Sequence, residues 1–183
     1  MDNKLVENLK QIKLILTDVD GVLTKGEIFF DGAGNELKIW NVKDGLSFSI
    51  ARRLSDLEVG WITGRKSENV ENRAKNLGIK YLMQEKWNKM EAYAEIKKQA
   101  GLSDEQIMYI GDDLIDIAVL KTVGISVCPS DAIPEVKTIC DLIADCKGGE
   151  GVFRFALKSV LEAQNRWDGI EKIFDQKRIS SDN

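Results

Sequence analysis

Short apolar runs alternate along the chain with longer segments in which apolar side chains recur every three or four positions. The runs are rich in Ile, Val and Leu at successive positions, which is typical of strands that are buried on both faces of a parallel sheet. They occupy residues 14–16, 59–62, 81–83, 107–110, 125–127 and 142–143. Each run therefore predicts one strand of a central sheet.

The segments between the runs predict helices. Ser67 can cap a helix that carries Val70, Ala74 and Leu77 on one stripe, and Gly78 stands at its end. Further helices are predicted at residues 88–100 and 115–121, and in a C-terminal stretch with Phe153, Leu157, Val160 and Leu161 on one face. Alternating strands and helices predict an α/β fold with a doubly wound, mostly parallel sheet.

One segment departs from this alternation. Residues 26–41 predict a β-hairpin, because two apolar runs at 28–30 and 37–40 flank a turn that contains two glycines. An isolated hairpin is only marginally stable in water. We therefore expect this hairpin flap, which follows the first strand, to pack against another subunit or to cover a site.

The composition fits a single domain. The 183 residues are 43% hydrophobic, which is enough to bury a core, and they contain no repeat or linker. We expect one domain over residues 1–183, with a mobile polar tail at about 167–183.

No apolar run reaches the roughly 20 residues of a membrane span, and the first residues lack a signal-peptide pattern. These features predict a cytoplasmic protein with no membrane partner.

The residue types that are missing limit the chemistry. The chain has no histidine, which excludes an imidazole base, an imidazole ligand and a phosphohistidine. Its three cysteines form no CxxC pair, and we expect inert thiols. A net charge of −4 disfavours a nucleic-acid partner. Chemistry must therefore come from carboxylates, lysine, arginine, hydroxyl groups or a hard metal ion.

Polar clusters follow three of the predicted strands, at residues 18–21, 63–65 and 111–113. Ligands of doubly wound sheets bind beyond the carboxyl ends of the strands, so we expect the clusters to converge. Asp18 and Asp20 lie two positions apart and point to the same side of an extended backbone. Alone, they could simply cap a turn. Together with Asp112 they predict a site for a hard cation, and oxygen ligands favour Mg²⁺.

A magnesium site lined by carboxylates suits phosphoryl transfer. One carboxylate can attack phosphorus and form an acyl phosphate. Another can protonate the leaving alcohol and then activate a water molecule. A lysine and a small hydroxyl group would offset the charge on the phosphoryl oxygens.

Three stretches carry a resemblance to a known family. Residues 18–24, 62–65 and 111–116 read DVDGVLT, ITGR and GDDLID, and they resemble the first, second and fourth motifs of the haloacid dehalogenase superfamily. Most of the chain resembles, more narrowly, the capless 3-deoxy-D-manno-octulosonate 8-phosphate phosphatases. Supporting matches lie at residues 41–45, 70–73, 88–89 and 148–151.

The resemblance implies an activity and an assembly. The activity is magnesium-dependent hydrolysis of a 2-keto-3-deoxy sugar acid phosphate, with the eight-carbon acid as first choice, in lipopolysaccharide synthesis. The assembly is a homotetramer that is built through the hairpin flap, with no large cap domain. Phe29, Phe30 and Trp40 suit such an interface, although they could also pack within their own subunit.

The resemblance also implies catalytic roles. Asp18 would be the nucleophile and Asp20 the general acid and base, while Thr63 would hydrogen-bond the phosphoryl oxygens. Lys89 would neutralise charge beside the nucleophile, with Lys86 as the rival lysine.

Metal and accessory roles follow from the same source. Mg²⁺ would bind Asp18, the Val19 carbonyl and Asp112, in the metal region that also holds Asp20. Asp113 would orient a metal-bound water or the lysine. Asp116 could join them, or could be a carboxylate that the dipole favours at a helix N-terminus.

The implied substrate-binding residues are Asp20, Asn41, Val42, Lys43, Asp44, Gly45, Arg65, Arg73 and Lys89. Arg65 and Arg73 would bind the sugar acid, although Arg73 could instead be a solvated helix residue. Lys43 stands where the family usually has arginine, and it lacks the bidentate fork for a carboxylate.

Two other functions remain open. One is a nonulosonate 9-phosphate phosphatase, as on a sialic acid route. The other is a non-catalytic assembly domain, which the presence of every motif carboxylate and of the lysine disfavours.

Overall fold

The structure is a computed structural model that describes residues 3–175. The strands in chain order are β1 (Leu14–Thr17), β2 (Phe29–Phe30), β3 (Glu36–Leu37), β4 (Glu58–Ile62), β5 (Tyr81–Met83), β6 (Ile107–Ile110), β7 (Ile125–Cys128) and β8 (Leu142–Ile143). Six of them form one parallel sheet in the order β5-β4-β1-β6-β7-β8, and β2 and β3 form a separate antiparallel pair. The predicted sheet is confirmed.

The α-helices are α1 (Asn3–Gln11), α2 (Val42–Leu54), α3 (Glu68–Leu77), α4 (Lys89–Ala100), α5 (Ile117–Leu120), α6 (Pro134–Lys137), α7 (Val152–Ala163) and α8 (Trp167–Asp175). Short 3₁₀ turns cover Asp104–Gln106 and Leu114–Asp116. Between residues 3 and 175, no helix combines the length and the apolar character that a membrane crossing requires.

Helices cover both faces of the sheet. Successive residues of β1 point to opposite faces, so Ile15 belongs to one buried cluster with Leu157 of α7. Leu14 and Leu16 belong to the other cluster, with Ile96 of α4. This two-sided burial explains why the strands are apolar at consecutive positions, and it confirms the doubly wound fold.

The order of the strands sets the position of the site. The chain runs outward from β1 through β4 to β5, and then returns to the other side of β1 to form β6, β7 and β8. The carboxyl end of β1 therefore lies at the point where the direction of winding reverses. Open α/β sheets bind ligands in the crevice at this point.

The hairpin flap (residues 26–41) is attached to the body near its end. Its strands have only two residues each, shorter than the sequence predicts. The Trp40 ring stacks on Trp61 of β4, with centroids 5.5 Å apart, and Trp40 Nε1 donates to Asn69 Oδ1 at 2.8 Å. Trp40 thus packs within its own subunit, whereas Phe29 and Phe30 are exposed.

The C-terminal segment differs from the expected tail. Residues 167–175 form α8, which buries Trp167 and Ile170, and Arg154 and Lys158 lie over the Trp167 ring. Residues 167–183 are mostly polar in sequence, but the two buried apolar residues of α8 lie on one face of the helix and attach it to the body. The remainder of the predicted tail, residues 176–183, lies outside the described residues.

Candidate active site

The end of β1 places Asp18 beside β6. The Asp18 amide donates to the Ile110 carbonyl at 2.9 Å, and the side chain is buried. The following turn needs Gly21, which has a φ of +90° and where a Cβ would overlap the Asp112 carboxylate. The glycine lets the loop after β6 bring Asp112 close to the end of β1.

Lys89, the first residue of α4, lies beside Asp18. Its side chain is fully buried, and Nζ lies 2.8 Å from Asp18 Oδ1 and 2.6 Å from Asp116 Oδ1. A buried ammonium group is stable only when it is paired and hydrogen-bonded. The structure therefore places Lys89, rather than Lys86, against the predicted nucleophile.

Asp116 holds this lysine in position. Its Oδ1 also accepts from the Tyr109 hydroxyl at 2.6 Å, and its Oδ2 accepts from the amides of Asp112 and Asp113 at 3.0 and 3.2 Å. The side chain is fully buried. Asp116 thus holds other residues of the site in place, which decides between the two roles that the sequence left open. Tyr109 gives no sequence signal beyond its place in an apolar strand.

Asp113 lies elsewhere. It is exposed, and its Oδ1 accepts from the Leu114 amide at 2.7 Å, so it caps the turn that follows. Orienting the lysine therefore falls to Asp116 and not to Asp113. The predicted role of Asp113 toward a metal-bound water stays a prediction.

Burial and neighbouring negative charge raise the pKa values of Asp18 and Asp112. Burial raises the pKa of Asp18 to about 7, although Lys89 opposes the rise. Burial, together with the charges of Asp18 and Asp116, raises the pKa of Asp112 to about 8. Burial alone would lower the pKa of Lys89, but the Asp18 and Asp116 carboxylates raise it. The cluster carries excess negative charge.

The donors in this cluster fit a hard cation. One carboxylate oxygen from each of Asp18, Asp112 and Asp116 lies within 4.8 Å of the others. Both Asp116 oxygens already accept hydrogen bonds, whereas Asp112 Oδ1 is buried with no partner among residues 3–175. Asp18 and Asp112 are therefore the side chains that are free to bind an ion of the Mg²⁺ type.

Two other predicted metal residues are engaged differently. The Val19 carbonyl accepts from the amides of Leu23 and Thr24 at 2.9 and 3.1 Å, which uses its lone pairs and argues against a metal role. The Asp20 side chain lies outside the carboxylate cluster, because its Oδ1 forms an ion pair with Lys38 of the flap.

Lys38 was not predicted as a site residue. Its side chain is only 4% exposed, and Nζ also lies 2.8 Å from Glu36 Oε1. Glu36 Oε2 in turn accepts from Arg65 at 2.5 Å. The flap thus reaches both the predicted acid/base and a predicted sugar-acid residue of its own chain. Lysine in a short, solvated hairpin gives no sequence signal for such a contact.

Thr63 follows β4 and is buried next to β5. Its amide donates to the Met83 carbonyl at 2.9 Å, and its Oγ1 accepts from the Arg65 amide at 3.3 Å. In the described part of the chain its hydroxyl hydrogen has no acceptor. Thr63 can therefore donate to an anionic ligand, and its role toward phosphoryl oxygens stays a prediction.

Arg73 is held against α2. A Cβ at Gly45 would lie 2.8 Å from Arg73 Nη2, so the glycine leaves room for the guanidinium group. Arg73 Nε is buried and has no hydrogen-bond partner among the residues described. Of the two alternatives for Arg73, this geometry disfavours the solvated surface charge.

The start of α2 is partly structural. Asn41 caps the helix by accepting from the Lys43 amide, and its Nδ2 donates to the Gly149 carbonyl at 2.7 Å. Val42 and Lys43 are exposed. Asp44, predicted to bind substrate, is instead 3% exposed and accepts from the Arg154 amide at 2.9 Å, because it caps the first turn of α7.

Comparison with known proteins identifies similar sequences and similar structures. Residues 61–155 match the family model described as haloacid dehalogenase-like hydrolase. The 3-deoxy-D-manno-octulosonate 8-phosphate phosphatase KdsC of Escherichia coli is 39% identical over 164 residues, which cover 90% of this chain and 87% of that protein.

Two solved structures are similar along most of the chain. The 3-deoxy-D-manno-octulosonate 8-phosphate phosphatase of Yersinia pestis has a TM-score of 0.88 and 38% identity, and the match covers 91% of this chain and 90% of that one. The Moraxella catarrhalis phosphatase of the same name, in complex with a magnesium ion, a phosphate ion and KDO, has a TM-score of 0.91 and 32% identity. That match covers 95% of this chain and 99% of the other.

Proposed function

Because the chain belongs to the haloacid dehalogenase-like hydrolase family, we propose that it hydrolyses a 2-keto-3-deoxy sugar acid phosphate. The first choice is 3-deoxy-D-manno-octulosonate 8-phosphate, which is cleaved to the free sugar acid and phosphate. The observation that carries the proposal is Lys89, buried between Asp18 and Asp116 at the point where the winding of the sheet reverses. This is the arrangement that an anionic transition state next to a carboxylate nucleophile requires.

The chemistry follows from the positions of the side chains. A carboxylate oxygen of Asp18 attacks phosphorus, and the bond from phosphorus to the sugar oxygen breaks as Asp20 donates a proton to that oxygen. A water molecule then gives its proton to Asp20 and attacks the aspartyl-phosphate, which releases phosphate and restores Asp18. Lys89 and the Thr63 hydroxyl stabilise the negative oxygens in both steps.

Mg²⁺ is the cofactor that we assign to the Asp18 and Asp112 carboxylates. When bound, it supplies positive charge for the phosphoryl group and relieves the repulsion between these two side chains. The orphaned Asp112 Oδ1 and the raised pKa values of both carboxylates support this assignment.

Arg65 and Arg73 are the groups we assign to the sugar acid. Guanidinium groups bind carboxylates through paired hydrogen bonds. Arg73 has a buried Nε without a protein partner, and Arg65 already binds a carboxylate, that of Glu36. Lys43 at the start of α2 is exposed and supplies further positive charge.

The exposed apolar surface of the flap supports the proposal that the chain forms a homotetramer. Its apolar residues Phe30 and Ile39 are 64% and 66% exposed, and Val42 just after it is 83% exposed. Exposed apolar side chains in one short region indicate a surface that another protein covers. We propose that copies of the same chain cover it and complete one another's sites.

A phosphate-release screen tests the substrate. 3-Deoxy-D-manno-octulosonate 8-phosphate, a nonulosonate 9-phosphate and p-nitrophenyl phosphate are compared at equal concentration, each with Mg²⁺ and with a chelator. We expect the eight-carbon substrate to have the highest kcat/KM, and no turnover in chelator. Preference for the nine-carbon substrate would replace the substrate assignment, and full activity in chelator would contradict the metal assignment.

A further inference from the structure

The flap contributes a buried charge to the site of its own chain. Lys38 lies one residue beyond β3, and its side chain is 4% exposed between the carboxylates of Asp20 and Glu36. Glu36 is also held by Arg65. Four charged side chains therefore form a continuous row, which begins at Asp20, the proposed general acid and base, and ends at Arg65, which we assign to the sugar acid. Burial alone would raise the pKa of Glu36, but Lys38 and Arg65 lower it, which keeps Glu36 charged.

This row has an asymmetric effect on Asp20. Lys38 occupies Oδ1, while Oδ2 is buried and has no partner among residues 3–175. A carboxylate with one oxygen fixed has little freedom to rotate, and its second oxygen keeps one direction. General acid–base catalysis depends on that direction, because the proton must be transferred over hydrogen-bond distance.

We propose that Lys38 is a positioning residue, which holds Asp20 through Oδ1 and so fixes the carboxylate for proton transfer to the leaving oxygen of the substrate. The inference rests on the proposed function and adds a residue of the flap to the reaction. Glu36 holds Lys38 from the other side and joins it to Arg65. The flap therefore acts on the chemistry of its own chain, in addition to any role between subunits.

The test compares single and double variants on the eight-carbon substrate and on p-nitrophenyl phosphate. Lys38→Met removes the ammonium group but keeps the length of the side chain, and Lys38→Arg restores a positive charge. Lys80→Met is the matched control, because Lys80 forms an exposed ion pair with Glu58. Asp20→Asn and the double variant with Lys38→Met complete the cycle.

We expect Lys38→Met to lower kcat by about tenfold or more, since general acid–base catalysis contributes about 10² to 10⁴. KM should change less than about threefold, Lys38→Arg should recover most of kcat, and Lys80→Met should match the wild type. In the Asp20→Asn background, Lys38→Met should cost almost nothing further, because the two residues act as one unit.

Several results would overturn the inference. A wild-type kcat in Lys38→Met is one, and an increased kcat is another, since it would make Lys38 an obstruction. A full further loss in the Asp20→Asn background would indicate only flap stability. If the wild type itself releases no phosphate from any substrate, the proposed function fails instead, so the two failures are distinguishable.

Discussion

Replacement of Asp44 by asparagine should stabilise the protein at neutral pH. The Asp44 carboxylate is 3% exposed, and its Oδ1 caps α7 through the Arg154 amide. Oδ2 is buried and has no partner in the described chain. Asparagine can keep the cap through its carbonyl oxygen while it removes a buried charge that is poorly compensated.

The size of the effect follows from the pKa of Asp44. Burial raises this pKa from 3.8 to about 6, although hydrogen bonds from the Arg154 and Phe153 amides oppose the rise. At 1.36 kcal/mol for each pKa unit, the rise corresponds to about 3 kcal/mol. The folded state binds the Asp44 proton more tightly than the unfolded state does. The protonated carboxyl group therefore contributes this amount to the free energy of unfolding below pH 4. The contribution falls as the pH rises to about 6 and is absent above that pH.

Urea unfolding of the wild type and Asp44→Asn from pH 4 to pH 8 measures the difference. The free energies of unfolding should be similar at pH 4, and the variant should be more stable by up to about 3 kcal/mol at pH 8. Asp18 and Asp112 titrate in both proteins and therefore cancel. Asp56→Asn is the control, because Arg166 lowers the pKa of Asp56 and so favours its charged form in the folded state. The change in stability at pH 8 should therefore have the opposite sign in this variant. A difference between the wild type and Asp44→Asn that stays constant with pH would refute the reasoning.

Four further predictions concern the site and the flap. Asp18→Asn should abolish phosphate release and keep the far-UV circular dichroism spectrum; normal turnover would contradict the assignment of Asp18 as the nucleophile. Asp112→Asn should raise the Mg²⁺ concentration for half-maximal activity by about tenfold or more, since a ligand is lost; an unchanged titration would remove Asp112 from the metal site. Tyr109→Phe removes a hydrogen bond to the buried Asp116 carboxylate and should lower the free energy of unfolding by about 1.5–3 kcal/mol in urea; a change below about 0.5 kcal/mol would be inconsistent with that bond. Phe30→Glu combined with Ile39→Glu should dissociate the proposed tetramer in light scattering; a wild type that is already monomeric, or an unchanged mass in the variant, would contradict assembly through the flap.

The chain pattern predicts the sheet well because its strands are buried on both faces. Consecutive apolar residues such as Ile107 to Ile110 leave few alternatives to a central parallel strand. The three polar clusters could be placed together for the same reason, since parallel strands end at one edge. The pattern fails where one or two side chains decide the structure, as with Trp167 and Ile170 in α8.

The detail of the site depended on contacts between residues that are far apart in sequence. Asp44 looks like a binding residue in its motif, but 110 positions separate it from the amide that it caps. Lys38 is 18 positions from Asp20, in a hairpin whose local sequence indicates only a turn and two short strands. Such pairings depend on how loops pack over the sheet edge, and no periodicity in the chain encodes them.

The stacked rings of Trp40 and Trp61 give the protein an internal optical reporter. Because the two indoles lie 5.5 Å apart and nearly parallel, their electronic transitions couple, and one ring belongs to the flap while the other belongs to the sheet. Lifting of the flap would separate the rings, so the excitonic signal would fade and the tryptophan emission would change. A movement of the flap that separates the rings would therefore be visible in rapid mixing experiments without an added label.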